Sequence, residues 1–156
     1  MSLESYDNSK GVLREEECQL IFKNICVALT YFHTQGYVFN DLKPSSIWIR
    51  IENAKPFAVL SDFGTINIIG SQNFVGTMTY SSPQMLANPE YDLQHNSKVD
   101  VWSLGAVAYF ALFGYGLFKN AESISNSNIT GIQIPPDRPF TMRIKFSGKL
   151  FSILRW

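Results

Sequence analysis

The clearest hydrophobic pattern near the start of the chain is helical and extends from about Arg14 to Thr34. Residues spaced at i, i+4, i+7, i+8 and i+11 form one apolar stripe: Ile21, Ile25, Ala28, Leu29 and Phe32. Three glutamates directly follow Arg14, where acidic side chains suit the positive end of a helix dipole. Gly36 is suited to end this helix. A shorter helix and turn is predicted before it, over residues 2–11.

Short β-prone runs come next, at residues 37–39, 47–51 and 58–60. Residues 65–82 mix Gly, Ser, Thr and Asn with few periodic apolar positions, which predicts a long functional loop. From Val99 to Phe113 the chain is almost continuously apolar, a pattern typical of a helix buried on all sides. That run is shorter than the roughly 18–20 residues needed to cross a bilayer, so we expect no membrane segment.

The pattern weakens after this run. Residues 114–128 are predicted to form a loop, and a proline cluster and an apolar segment at 146–156 make up the tail. We expect one domain, or part of one, because no repeat or linker is recognisable. An apolar fraction of 46% over 156 residues indicates a packed core. Net charge is zero, with 13 basic and 13 acidic residues, so no nucleic-acid partner is expected.

The two cysteines, Cys18 and Cys26, lie eight residues apart on the predicted helix, about 12 Å along its axis. A disulfide needs Cα atoms roughly 4.4–6.8 Å apart, so these residues cannot bridge each other within the helix. Buried, reduced cysteines and a polar start without a secretory signal predict a cytoplasmic, intracellular protein. His33, at the end of the same helix, is predicted to be a structural histidine with its hydrogen bonds satisfied.

Four short segments carry the candidate chemistry. They are Asp41-Leu42-Lys43-Pro44, then Asp62-Phe63-Gly64 21 positions later, Gly76-Thr77-Met78-Thr79-Tyr80-Ser81-Ser82-Pro83, and Asp100-Val101-Trp102-Ser103-Leu104-Gly105. Each alone is a weak signal, since an Asp-Phe-Gly tripeptide is a common turn. In this order and spacing they resemble the catalytic loop, metal-binding loop, activation segment and central buried helix of eukaryotic protein kinases of the Ser/Thr type. The resemblance is to a calmodulin-dependent-kinase-like C-lobe and covers roughly residues 1–134.

The resemblance implies a mainly α (α+β) fold, in which a short β-hairpin carries the catalytic and metal loops. It implies ATP and Mg²⁺ as cofactors and a protein as substrate or docking partner. Asp41 would be the catalytic base, and Lys43 would contact the γ-phosphate. Asp62 would chelate Mg²⁺ through hard carboxylate oxygens. Thr77 would hydrogen-bond Asp41 and Lys43, and Asp100 would brace the backbone of the catalytic loop.

Several positions depart from the family pattern. Asn40 replaces an arginine that pairs with a phosphorylated activation loop, so we expect this chain to lack that switch. Ser46 stands at the position of a metal-binding asparagine and is a weaker candidate ligand. Trp48 replaces a leucine under the adenine ring, where it could stack on the base or fill its slot, and side-chain volume favours filling. Gln84 replaces a glutamate whose buried arginine partner has no clear match either, so the two losses look coupled.

The sequence contains neither a Gly-rich phosphate loop nor an ATP-pairing strand lysine with its partner glutamate. We therefore expect residues 1–156 to represent the C-lobe only, with 135–156 as a divergent or truncated tail. Catalysis by this chain alone should be weak or absent. Two alternatives to an enzyme stay open: a pseudokinase that docks another protein through the groove around residues 41–46 and helix 99–113, and a truncated reading frame. A lobe without its usual partner would also expose apolar surface that favours association.

Overall fold

The computed structural model of the chain describes residues 1–69, 76–87, 97–120 and 124, together with the backbone of residues 143–146 and 149–152. Parts of the predicted loops at 65–82 and 114–128 lie outside these residues, as do much of the predicted tail at 135–156 and the side chain of Gln84.

Two helices open the fold, as the sequence predicts. Helix α1 spans Leu3–Lys10. Its N-cap is Ser2, whose hydroxyl accepts a hydrogen bond from the backbone N–H of Ser5 at 3.1 Å. Helix α2 spans Glu15–Thr34 and turns its apolar stripe toward the core. Gly36, with a φ of +80°, follows α2 in the left-handed region that a residue without Cβ adopts at least cost.

The described strands form three antiparallel pairs. Their bounds are β1 Tyr37–Val38, β2 Ile47–Glu52, β3 Lys55–Leu60, β4 Asn67–Ile68, β5 Arg143–Phe146 and β6 Lys149–Ser152. Strand β1 pairs with β4, β2 with β3 and β5 with β6. The β2–β3 hairpin starts just after the Asp41 loop and ends just before Asp62, so it joins the two loops that carry the candidate chemistry.

Two further helices follow, α3 over Pro83–Ala87 and α4 over Ser97–Phe113. Helix α4 lies in one core with α1, α2 and the β2–β3 hairpin, as its continuous apolarity predicts. Large core side chains come from each of these parts: Leu3, Phe22, Leu29, Ile47 and Leu104.

The two cysteines lie in this core as free thiols. Both are buried and no disulfide joins them, as the sequence predicts. Burial raises the pKa of the Cys18 and Cys26 thiols to about 12, so both stay protonated and unreactive near neutral pH.

The stretch at 65–82, predicted as an irregular loop, contains more order than its composition indicates. Its described parts include strand β4 and a 3₁₀ turn at Met78–Tyr80. The prediction missed β4 because its partner β1 lies about 30 residues earlier, and a pairing over that distance leaves no local pattern. Within the described residues, no helix has both the length and the apolarity to cross a membrane.

Candidate active site

The loop before Asp41 is fixed by a carboxylate from helix α4. Asp100 is fully buried, and its Oδ2 and Oδ1 accept hydrogen bonds from the backbone N–H groups of Phe39 and Asn40, each at 2.9 Å. Its Oδ2 also lies 2.8 Å from Nε2 of His33. The bracing contact that the resemblance implied is therefore present, and the contact of His33 with Asp100 agrees with the prediction of a structural histidine.

Asp41, Lys43 and Thr77 come together in one hydrogen-bonded set. The Lys43 ammonium donates to Oδ2 of Asp41 at 2.5 Å and to Oγ1 of Thr77 at 3.0 Å. The backbone N–H of Thr77 donates to Oδ1 of Asp41 at 2.7 Å. Burial raises the pKa of Asp41, but the hydrogen bonds from Lys43 and Thr77 outweigh it and hold that pKa below its usual range. Asp41 is thus an anion at neutral pH.

The Ser46 hydroxyl is used inside the catalytic loop. It lies 3.1 Å and 2.9 Å from the carbonyl oxygens of Asp41 and Lys43, and it accepts the backbone N–H of Lys43 at 3.0 Å. The residue is fully buried. This bonding closes the 3₁₀ turn at Pro44–Ser46 and directs the one hydroxyl proton to backbone carbonyls. Ser46 as a metal ligand stays a prediction, and its present partners argue against it.

Asp62 follows strand β3 on an exposed turn. Its φ of 66° and ψ of 53° are left-handed, a conformation that Asp tolerates better than most residues. The ring of Phe63 lies 6.0 Å from that of Phe32 and 6.3 Å from that of Phe39, which holds the turn against α2 and the catalytic loop. In the described part of the chain, His, Cys, Asp and Glu form no ready metal cluster of three or more. The magnesium role of Asp62 therefore stays a prediction.

Trp48 lies on the outer face of the β2–β3 hairpin, directly across from Val59. Trp48 is 54% exposed and Val59 is 41% exposed, so the described residues do not enclose the indole. An adenine ring could reach it from solvent. Whether Trp48 stacks on a base or fills the base's slot stays a prediction.

Two residues that tie the site together were missed by sequence reasoning. Thr65 donates through Oγ1 to the Phe39 carbonyl at 3.3 Å, and Ser103 donates through Oγ to the Tyr80 carbonyl at 2.8 Å. Ser103 thereby joins helix α4 to the segment that carries Thr77. A serine one turn after Asp100 on the same helix was the available signal, but its partner is 23 residues away along the chain.

Comparison with known proteins identifies the family. The profile of the protein kinase domain matches residues 1–155. The chain is 36% identical over 123 residues to serine/threonine-protein kinase dkf-2 of Caenorhabditis briggsae, covering 76% of the chain and 10% of that protein. It is 32% identical over 138 residues to serine/threonine-protein kinase D2 of Rattus norvegicus, covering 86% and 15%. It is 35% identical over 129 residues to sperm motility kinase 2B of Mus musculus, covering 78% and 25%.

The chain thus spans between a tenth and a quarter of the length of these relatives. The match covers nearly every residue, and it includes the loops of Asp41 and Asp62, helix α4 and the segment of Thr77. This chain belongs to the eukaryotic protein kinase family.

Proposed function

We propose that the chain is the C-terminal lobe of a Ser/Thr protein kinase domain, which transfers a phosphoryl group from Mg-ATP to a protein serine or threonine. The observation that carries the proposal is the hydrogen-bonded set of Asp41, Lys43 and Thr77, held in place by buried Asp100. An intracellular site of action, expected from the family and the two reduced cysteines, is part of this proposal.

Asp41 would orient the attacking hydroxyl. Its lowered pKa keeps it anionic, so it accepts a hydrogen bond from the substrate hydroxyl and takes up the proton as the phosphoryl group transfers. Oδ1 of Asp41 is held by the Thr77 N–H and Oδ2 by Lys43, which fixes the direction of the carboxylate. The carboxylate oxygens have further lone pairs for the incoming hydroxyl.

Lys43 would supply positive charge to the transferring phosphate. An ammonium group has three N–H donors, and two of those of Lys43 point to Asp41 and Thr77. The side chain is 24% exposed, so the remaining donor can face a phosphate that arrives from solvent. The same two contacts that hold Lys43 also bring it beside the hydroxyl that Asp41 orients.

Asp62 fits the requirement for a magnesium ligand, because it is an exposed carboxylate on a turn fixed by the Phe63 ring. Ser46 fits poorly, because its hydroxyl is buried in the loop. Bound Mg-ATP would supply the transferring phosphoryl group and neutralise its charge. With one good ligand here and no Gly-rich loop in these 156 residues, the chain alone should transfer phosphate weakly or not at all.

Thermal unfolding with and without Mg-ATP tests the proposal. We expect wild type to be stabilised only when Mg²⁺ and the nucleotide are both present, since a ligand that binds the folded state raises its stability. Asp62→Asn should lose this shift. Asp41→Asn should retain it but should lose any phosphate transfer to Ser/Thr peptides.

Glu52→Gln is the matched control, because Glu52 is an exposed acid at the far end of the same hairpin. It should behave as wild type. If wild type shows neither a Mg-ATP shift nor phosphate transfer, the catalytic proposal fails for this chain. An Asp62→Asn variant that keeps the full shift would remove Asp62 from the metal site.

The bonding of Ser46 favours a second candidate, a pseudokinase that binds another protein. A hydroxyl committed to the loop backbone would leave the metal with too few ligands for efficient catalysis. Much of helix α4 is buried in the core, which counts against docking at those positions. Exposed apolar side chains elsewhere offer contact surface: Val27, Tyr31, Trp48 and Ile68.

A further inference from the structure

Two hydrogen bonds join the residues just before Asp41 to the residue just after Asp62-Phe63-Gly64. Asn40 Nδ2 donates to the carbonyl oxygen of Thr65 at 3.3 Å, and Thr65 Oγ1 donates to the carbonyl oxygen of Phe39, also at 3.3 Å. Each segment therefore offers one side-chain donor and one backbone acceptor to the other. We refer to this reciprocal pair, Asn40 with Thr65, as the loop clamp.

The backbone at residue 40 explains why an asparagine suits this position. Asn40 has a φ of 68°, in the left-handed region that Asn adopts more readily than most other residues. Its backbone N–H is bound by Asp100 and the residue is only 6% exposed, so its side chain points into the protein rather than into solvent. A short amide with two N–H donors can reach the Thr65 carbonyl from there.

We propose that the loop clamp sets the position of the Asp62 turn relative to Asp41, and that Asn40 and Thr65 are positioning residues. The clamp uses only groups of the folded chain, so the two loops keep their register without a phosphorylated side chain. This inference deepens the proposed function, since the register of the loops matters for phosphoryl transfer only if Asp62 binds magnesium. The 6.3 Å contact of the Phe39 and Phe63 rings lies between the same two segments and supports the same register.

Backbone hydrogen exchange of the full chain tests the clamp. The reporter is segment 61–69, in which the amides of Ile66 and Ile69 are hydrogen-bonded, and the reference is the core segment 21–29 of α2. Thr65→Val removes the hydroxyl at nearly constant volume, and Thr65→Ser retains it. Asn40→Gly removes the amide but tolerates the positive φ.

We expect Thr65→Val and Asn40→Gly each to speed exchange in 61–69 by about fivefold, the effect of one lost hydrogen bond. Exchange in 21–29 should not change, and Thr65→Ser should match wild type. Equal rates in Thr65→Val and Thr65→Ser, or an acceleration of both segments together, would overturn the clamp. The Thr65 pair decides the question even if Asn40→Gly does not fold.

Nucleotide binding separates this inference from the proposed function. If wild type binds Mg-ATP, Thr65→Val should weaken that affinity by a similar factor and Thr65→Ser should not. Affinity unchanged in Thr65→Val would show that the clamp does not position the Asp62 turn. If wild type neither binds Mg-ATP nor transfers phosphate, the proposed function fails for this chain, and the exchange comparison still confirms or overturns the clamp.

Discussion

Buried carboxylates lie at two junctions of the fold, and their partners differ. At the first junction, between α4 and the catalytic loop, Asp100 accepts two backbone N–H groups and contacts His33. At the second junction, between α1 and α2, Glu17 lies near two cations, Lys10 at 3.0 Å and Arg14 at 3.1 Å. Asp7, at the same junction, is 3% exposed, and its Oδ1 has no hydrogen-bond partner among the described residues.

The pKa values of Glu17 and Asp7 at the second junction show how hydrogen-bond partners change the effect of burial on an acid. Burial raises the pKa of Glu17, but hydrogen bonds from Lys10 and Arg14 outweigh it and lower that pKa to about 2. Burial also raises the pKa of Asp7, and a backbone hydrogen bond from Leu13 opposes it too weakly, so the pKa rises to about 6. Burial alone therefore does not make an acid a stabilising group; the number and charge of its partners decide.

The largest effect should come from the first junction. Asp100→Asn should lower the free energy of unfolding by about 3 kcal/mol, because a carboxamide presents one oxygen and turns its NH₂ toward a backbone N–H. Urea unfolding at pH 7 measures this. The control is Asp62→Asn, the same change at an exposed residue, which should cost less than about 0.5 kcal/mol. Equal stabilities of the two variants would show that the catalytic loop does not depend on its brace.

The contacts of Asp100 at the first junction were predicted from the sequence, whereas the burial of Asp7 at the second junction was not. The resemblance to kinases implied that Asp100 braces the catalytic loop, and an aspartate buried at the start of a helix needs such polar partners. Asp7 lies in a polar stretch, Leu3–Lys10, for which the sequence predicts a short helix and turn but does not indicate which side chains are buried. The residue that follows α4 lies close to Asp7, since a Cβ built on Gly114, more than 100 residues later, would lie 3.9 Å from Oδ2 of Asp7. No local pattern encodes that contact.

Some features of the candidate site could likewise be predicted from the sequence, and others could not. The resemblance to kinases implied that Asp41, Lys43 and Thr77 meet, and the structure brings them within hydrogen-bond distance. The resemblance could not predict which way a small polar side chain turns. The inward hydroxyl of Ser46 and the contact of Asn40 with Thr65 depend on backbone angles that only the folded loop defines.

A smaller effect is expected from the charged pair at the second junction. Glu17→Gln should cost about 1–2 kcal/mol at pH 7, reduced by the solvent exposure of Lys10 and Arg14. The folded pKa of about 2 lies below the usual 4.5, so this stability is complete above about pH 4.5 and is lost as the pH falls toward 2. Urea midpoints between pH 7 and pH 2.5 should therefore converge for variant and wild type.

Exposed Glu16, the preceding residue, gives the matched control. Glu16→Gln should shift the midpoint little at any pH, since no fixed cation holds its carboxylate in a buried site. A cost for Glu17→Gln that stays constant from pH 7 to pH 2.5 would mean that packing, and not charge, supports the α1–α2 junction.

The smallest effect has the opposite sign. Asp7→Asn should raise the free energy of unfolding by about 1 kcal/mol at pH 8, because it removes a buried charge that lacks a full set of partners. The folded pKa of about 6 lies above the usual 3.8. The stability that the protonated Asp7 carboxyl contributes to wild type is therefore complete below pH 3.8 and is lost as the pH rises through 6. The advantage of the variant should therefore be absent at pH 4 and full at pH 8 in urea unfolding, while exposed Glu4→Gln on the same helix should show no such trend. A variant that destabilises equally at both pH values would show that Asp7 braces its junction as Asp100 braces the catalytic loop, and the contrast between the two junctions would fail.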